Sequence, residues 1–141
     1  MCYSLYLSTS SDEDLTKYNS DLLRFRPADP TDEKWTGLMW HEHKWFVGSK
    51  SGCSCTFRHF STTDLGFTEP QDWCPEDEDN VRATAELYRV IHTLVAAGEH
   101  VDCVDAWRDA KPDDIKEMTV TFDTVSEKQF LLFENHHFLF E

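Results

Sequence analysis

The 141-residue sequence has no run of about eighteen consecutive apolar residues, so no segment of it reads as a membrane-spanning helix. It is also short of positive charge, with 13 Lys and Arg against 27 Asp and Glu and a formal net charge of −14. Such a chain repels the phosphate backbone that nucleic-acid binders neutralise, which argues against DNA, RNA and anionic membrane as partners. A macromolecular partner, if there is one, is expected to present a basic protein surface. No internal repeat, low-complexity tract or linker divides the chain, and a single domain over residues 1–141 is expected. The opening Met1-Cys2-Tyr3-Ser4-Leu5-Tyr6-Leu7 lacks a basic start, a sustained apolar run and a small-residue cleavage site. No export signal is read there, and the expected compartment is the cytoplasm. In that reducing setting the five cysteines, an odd number, are expected free or metal-bound rather than bridged.

What the chain does contain is material for a core: 40% hydrophobic residues and 13% aromatics exclude a disordered chain. Residues 2–8 and 22–26 read as strands, with a short helix near Asp12–Tyr18 between them. Trp35–Trp40, Lys44–Val47 and Cys53–Phe60 read as strand-like, the last two forming a hairpin across the Gly48–Gly52 loop. Val81, Ala85, Tyr88, Ile91 and Val95 recur at helical spacing and predict a helix over 77–97. The acidic run Glu76–Asp79 complements its dipole and Gly98 closes it. Val101–Val104 and the alternation of Met118, Val120 and Phe122 give further strands, and 130–140 reads best as a hairpin, with a terminal helix starting near Ser126 as the competing reading. These elements predict an α+β domain whose mainly antiparallel sheet is covered on one face by one long helix, with a short N-terminal helix.

Chemistry concentrates in Gly48-Ser-Lys-Ser-Gly-Cys53-Ser-Cys55-Thr-Phe-Arg-His59 and in His41-Glu42-His43 before it. Thiolate and imidazole are the donors zinc prefers, so Cys53, Cys55, His59, His43 and His41 are the candidate metal ligands. A five-residue loop at Gly48–Gly52 would place all five on one face, whereas a loop one residue longer or shorter would not. Two sulfurs on one zinc lie only about 4 Å apart, while alternate Cα atoms of an extended strand are roughly 6.6 Å apart. Chelation by both cysteines therefore requires a bend at Ser54. Lys50, Arg58 and His59 beside the pair would also favour a reactive thiolate. The Lys precedes the last Gly and a strand-like segment follows, so the loop is not a P-loop.

Other groups receive plainer readings. Cys103 is expected in the core, Cys74 at the start of the helix, His92 at the edge of the helix's buried face, and His136-His137 in an exposed turn. Trp40, Trp45 and Phe46 form the candidate ligand or partner surface, which a homodimer could also bury. The leading expectation is a small non-catalytic binding or interaction module that uses the aromatic and histidine-bearing hairpin at 40–59 to take an unknown small molecule or protein. The alternative is a zinc-binding or thiol-reactive protein centred on Cys53 and Cys55. No catalytic residue is read, and zinc is the one cofactor considered.

Overall fold

The computed structural model describes residues 2–141; Met1, where the reading of the chain start begins, lies outside them. The strands are β1 (Tyr3–Thr9), β2 (Leu23–Pro27), β3 (His43–Ser49), β4 (His59–Phe60), β5 (Val101–Trp107), β6 (Lys116–Val120), β7 (Leu132–Phe133) and β8 (His136–Phe140). The helices are α1 (Glu33–Thr36) and α2 (Glu78–Ala96). Six strands form one sheet in the order β2-β3-β1-β5-β8-β6, antiparallel except for the β8–β6 edge, and β4 pairs with β7 in a separate parallel ribbon. The fold is the expected α+β class. Among the described residues no helix is long and apolar enough to cross a membrane.

Strand alternation sorts the sheet's side chains onto two faces. Leu5 and Leu7 of β1, Phe25 of β2, Val47 of β3, Cys103 of β5 and Phe138 of β8 point to the face that α2 covers, and they form the main core with Leu87, Ile91 and Leu94. On the other face Tyr6, Val104 and Ala106 pack against Trp35 of α1, Met39 and Ala110. The 28–39 segment thus closes part of the second face, and Trp35–Trp40 belongs to this short helix and the turn after it rather than to a strand. Its Pro30, preceded by Asp29, starts a tight turn in which Asp29 and Asp32 cap each other. The expected N-terminal helix is a single 3-10 turn, Leu15–Tyr18, capped by Asp14.

Both ends of α2 follow the sequence. The Asp77 carboxylate accepts from the Asp79 and Asn80 amides. At the other end Gly98, at φ 91°, carries the chain into the left-handed region, where Gly98 N donates to Val95 O and Glu99 N to Leu94 O. The buried face is turned from the one the periodicity predicts: Ala83, Leu87, Val90, Ile91 and Leu94 are buried, whereas Val81, Ala85 and Val95 flank them half-buried. Tyr88 and Ile91 are common to both readings. The periodicity left out Leu87 and Leu94, which fill the middle of the stripe.

The hairpin across Gly48–Gly52 does not form. β2 occupies one edge of β3 over residues 45–49 and β1 the other over 43–46, so only the last three residues of β3 have an open edge, which the turn to Cys53 and the Ser54 hydroxyl take up in place of a strand. They fold instead as a compact loop, and only His59–Phe60 becomes a strand, against β7. The 130–140 segment likewise turns at Glu134-Asn135, but its two arms join different sheets.

Replacing Leu87 by Ala is expected to cost about 2–5 kcal/mol, the range for a truncated core leucine, while Arg82→Ala on the exposed side changes stability by at most about 0.5 kcal/mol. Urea unfolding checks this. A Leu87→Ala loss no larger than the surface variant's would return the helix to the face the periodicity indicated.

Candidate functional site

The loop after β3 begins with a tight turn in which Gly52 N donates to Ser49 O, 2.9 Å, and Ser49 N to Cys53 O, 2.8 Å. Gly52 sits at φ 83°, and a Cβ on Gly48 would stand 3.1 Å from the Gly52 carbonyl oxygen. Glycine is thus needed at one position for its conformation and at the other for close approach. The Ser49 hydroxyl, fully buried, donates to Cys53 O, accepts from Thr56 N and touches the Thr56 hydroxyl.

Ser54 then enters the gap where β1 and β3 diverge. Their ladder runs from Thr9↔His43 to Tyr6↔Phe46. One step beyond, the Ser54 hydroxyl takes the missing positions, accepting from Leu5 N at 3.0 Å and donating to Val47 O at 2.6 Å. The chain bends through residues 52–54, and this bend at the buried serine brings its two neighbours together. The Cys53 and Cys55 sulfurs, with that of Cys2 just before β1, lie within 4.8 Å of one another. Cys2 is held by Arg108 N, which donates to its carbonyl across the end of the β1–β5 ladder. The bend at Ser54 that chelation by both cysteines requires is present, and the group nearest the pair is the Cys2 thiol rather than a histidine.

The three thiols are half-buried and not bridged, and two of them differ electrostatically. The Ser51 hydroxyl, 3.1 Å from the Cys53 sulfur, holds the Cys53 thiol below the ordinary thiol range. Burial, followed by hydrogen bonding with Cys53, pushes Cys55 up to about 11, against a lowering contribution from Tyr3 N. Lys50 and Arg58 play no part in this. Lys50 pairs with Asp79 at 3.0 Å. The Arg58 side chain is buried and directs all five N–H groups to protein acceptors: Glu76 through two 2.8 Å bonds, and the carbonyls of Phe130, Lys128 and Thr68.

His59 does not join the cysteines as a ligand, because both ring nitrogens are engaged. Nε2 lies 2.7 Å from Ser54 O, which can only accept, and Nδ1 lies 2.8 Å from Asp105 Oδ2. One proton must therefore sit between imidazole and carboxyl. Burial opposes charge on His59, but the Asp105 carboxylate outweighs it and raises the His59 pKa; burial likewise raises Asp105, against the lowering effect of His59. Tyr3 stacks on the imidazole at 3.7 Å and donates to Glu134, whose charge also faces the pair, and His136 stands nearby.

The remaining candidates are dispersed. His41 stacks on His100 and His43 lies beside Glu42, away from the thiols. Trp45 is buried under α2, Phe46 lies on the opposite face of the sheet, and Trp40 is 61% exposed, so the three do not make one surface. Cys103 is buried as expected, where burial and then the Asp102 and Asp105 charges raise its pKa. Cys74 is exposed in a turn with Gln71, ahead of α2, and His92 is exposed, its ring against Phe122.

His137 corrects the expected exposed turn. It is a buried strand residue whose Nε2 meets Asp102 Oδ2 at 2.5 Å. Asp102 also accepts from the Ser8 hydroxyl and from Trp40 N. In that trio the hydroxyl contacts the carboxylate and not the imidazole, so it lacks the nucleophile-to-base contact of a hydrolytic triad. Sequence reasoning missed Cys2 as a partner of Cys53 and Cys55. It also missed the buried carboxylates, for which Asp102 and Asp105 inside the apolar run Val101–Trp107 were the available signal.

Compared with protein-family models, curated proteins and solved structures, the chain matches none.

Two outcomes follow from these groups. His59 binds its proton more tightly folded than unfolded, so its contribution to stability is complete below its ordinary value of 6.5 and is lost as pH rises through the raised folded value. Asp105, also raised, has the same sign, but its contribution is lost from its ordinary value of 3.8 upward, so the slope above pH 6.5 is the part that reports His59. The urea midpoint is expected to fall from pH 6.5 upward and His59→Gln to flatten that slope; equal slopes in the two proteins would contradict the assignment. Secondly, in metal-free protein Cys53 is expected to alkylate faster than Cys55, and Cys103 only after unfolding, as read by peptide mapping. Equal rates for Cys53 and Cys55 would remove the electrostatic distinction between them.

Proposed function

We propose that this chain is a metal-binding protein in which the thiolates of Cys2, Cys53 and Cys55 hold a zinc ion. The observation that carries the reading is the convergence of three sulfurs, from two distant segments, within 4.8 Å. Thiolates favour zinc and copper(I) over hard cations. Three protein ligands leave zinc's fourth position open, as in sites where the ion acts on or exchanges a ligand rather than only stapling a fold. The core closes without a staple, since the chain buries a continuous apolar cluster between sheet and helix. His59 and Asp105 support the loop that carries two of the ligands and supply no donor atom.

A second reading, thiol exchange by the same residues, is favoured by the opposed shifts of Cys53 and Cys55. In it Cys53 attacks a disulfide of a small thiol and Cys55 resolves the mixed disulfide, which releases the second thiol and leaves Cys53–Cys55 oxidised.

Zinc titration against a chromophoric chelator is expected to show one site per chain. Cobalt substitution is expected to give sulfur-to-metal charge-transfer absorption, and Cys2→Ser, Cys53→Ser and Cys55→Ser each to lower the affinity about tenfold or more. His41→Ala and His43→Ala are expected to leave it unchanged. Absence of uptake by fully reduced protein would overturn the metal reading. Uptake undisturbed by Cys2→Ser would overturn the three-thiolate site.

A further inference from the structure

Beside the thiol cluster, on the sheet face away from α2, lies a cleft of about 380 Å³ between α1, the turn before it and the strands β1 and β3. Its volume falls within the roughly 300–1,000 Å³ of small-molecule sites. Arg26, Lys34 and Arg108 line it together with Tyr6, Phe46 and Cys53. A chain of net charge −14 with 13 basic residues therefore gathers three of them around one cavity.

Their acidic neighbour is largely occupied. Asp32 accepts from the Tyr6 hydroxyl at 2.6 Å through Oδ1 and from Asp29 N at 2.8 Å through Oδ2, and it lies 3.6 Å from Arg26. Arg26 is further fixed over the Phe46 ring at 4.2 Å. Lys34 is held over Trp35 and donates to the Arg108 carbonyl at 2.9 Å. Among the described residues, neither Lys34 nor Arg108 forms a salt bridge with a carboxylate. Two cations without a carboxylate partner thus flank a cavity in which the Tyr6 hydroxyl and the Asp32 carboxylate are already committed to each other. The larger cavity between residues 69–72 and α2 has the opposite character, with Glu69, Asp72 and Glu127 around a single Lys128.

We infer that this cleft binds a small organic oxyanion, with its carboxylate or phosphate between Lys34 and Arg108 and its body against Phe46. Guanidinium and ammonium donors recognise such oxygens through charge-assisted hydrogen bonds. The cavity has room for a carbon skeleton besides the anionic group. Cys53 lines the cleft and belongs to the thiol cluster, so the bound molecule reaches the neighbourhood of the sulfurs, and binding of the anion does not require the metal.

The test is titration of metal-free protein, followed by amide chemical shifts, with glycerol 3-phosphate, with citrate and with inorganic phosphate, against chloride at matched ionic strength. Saturable shifts at residues of the cleft are expected with at least one of the organic anions. Response to glycerol 3-phosphate alone assigns a phosphate ester, and response to citrate alone a carboxylate. Lys34→Ala and Arg108→Ala, both surface changes, are expected to lower the affinity about tenfold each, and Arg82→Ala on α2 to leave it unchanged. The inference is overturned if none of the organic anions shifts the cleft residues, or if Arg82→Ala weakens binding as much as the cleft variants do. Cys55→Ser, which damages the metal site and does not line the cleft, is expected to retain anion binding, so that failure of one site is distinguishable from failure of the other.

Discussion

The geometry of the thiol cluster depends on one buried hydroxyl. Where β1 and β3 part, Leu5 N and Val47 O would lose their ladder partners inside the fold, and Ser54 Oγ satisfies both. An unmet donor or acceptor there would cost about 1–3 kcal/mol each. A hydroxyl on a short side chain is one of the few groups able to accept from one strand and donate to the other at this spacing. With Ser54 fixed in the plane of the sheet, its neighbours Cys53 and Cys55 have little choice of position, and Cys2, just before β1, is the nearest third thiol.

The downstream half of the loop is held by buried charge. Arg58 ties it to Glu76 ahead of α2 and to the carbonyls of Phe130 and Lys128, and His59 ties it to Asp105 in the middle of the sheet. Desolvation offsets much of the attraction in such pairs, so their main effect is to select one loop conformation. The same groups give Ser54 its third contact, because His59 Nε2 donates to the Ser54 carbonyl. The position of the cysteines is thus set from both sides, by the tight turn at Ser49–Cys53 and by the buried pairs after Phe57.

Much of this fold was legible in the sequence. Alternation marked β2 and β6, and periodicity with its capping residues marked α2, because those signals are local. The hairpin at 44–60 failed because its premise was that consecutive strand-like segments pair. Whether β3 has a free edge depends on β1 and β2, which approach from elsewhere in the chain. The five-ligand constellation failed with it, since the parity that would have put His41 and His43 beside the cysteines requires that pairing. The need for a bend at Ser54 was readable from sulfur spacing alone. Cys2 was not, because 51 positions of sequence separate it from Cys53 and only the topology closes that distance.

The central proposal, a zinc ion on three thiolates, is tested most directly by X-ray absorption at the zinc edge on protein loaded with one equivalent. The predicted spectrum has a shell of three sulfurs at about 2.3 Å and one lighter donor at about 2.0–2.1 Å. A shell of nitrogen and oxygen alone, or one containing a single sulfur, would contradict it.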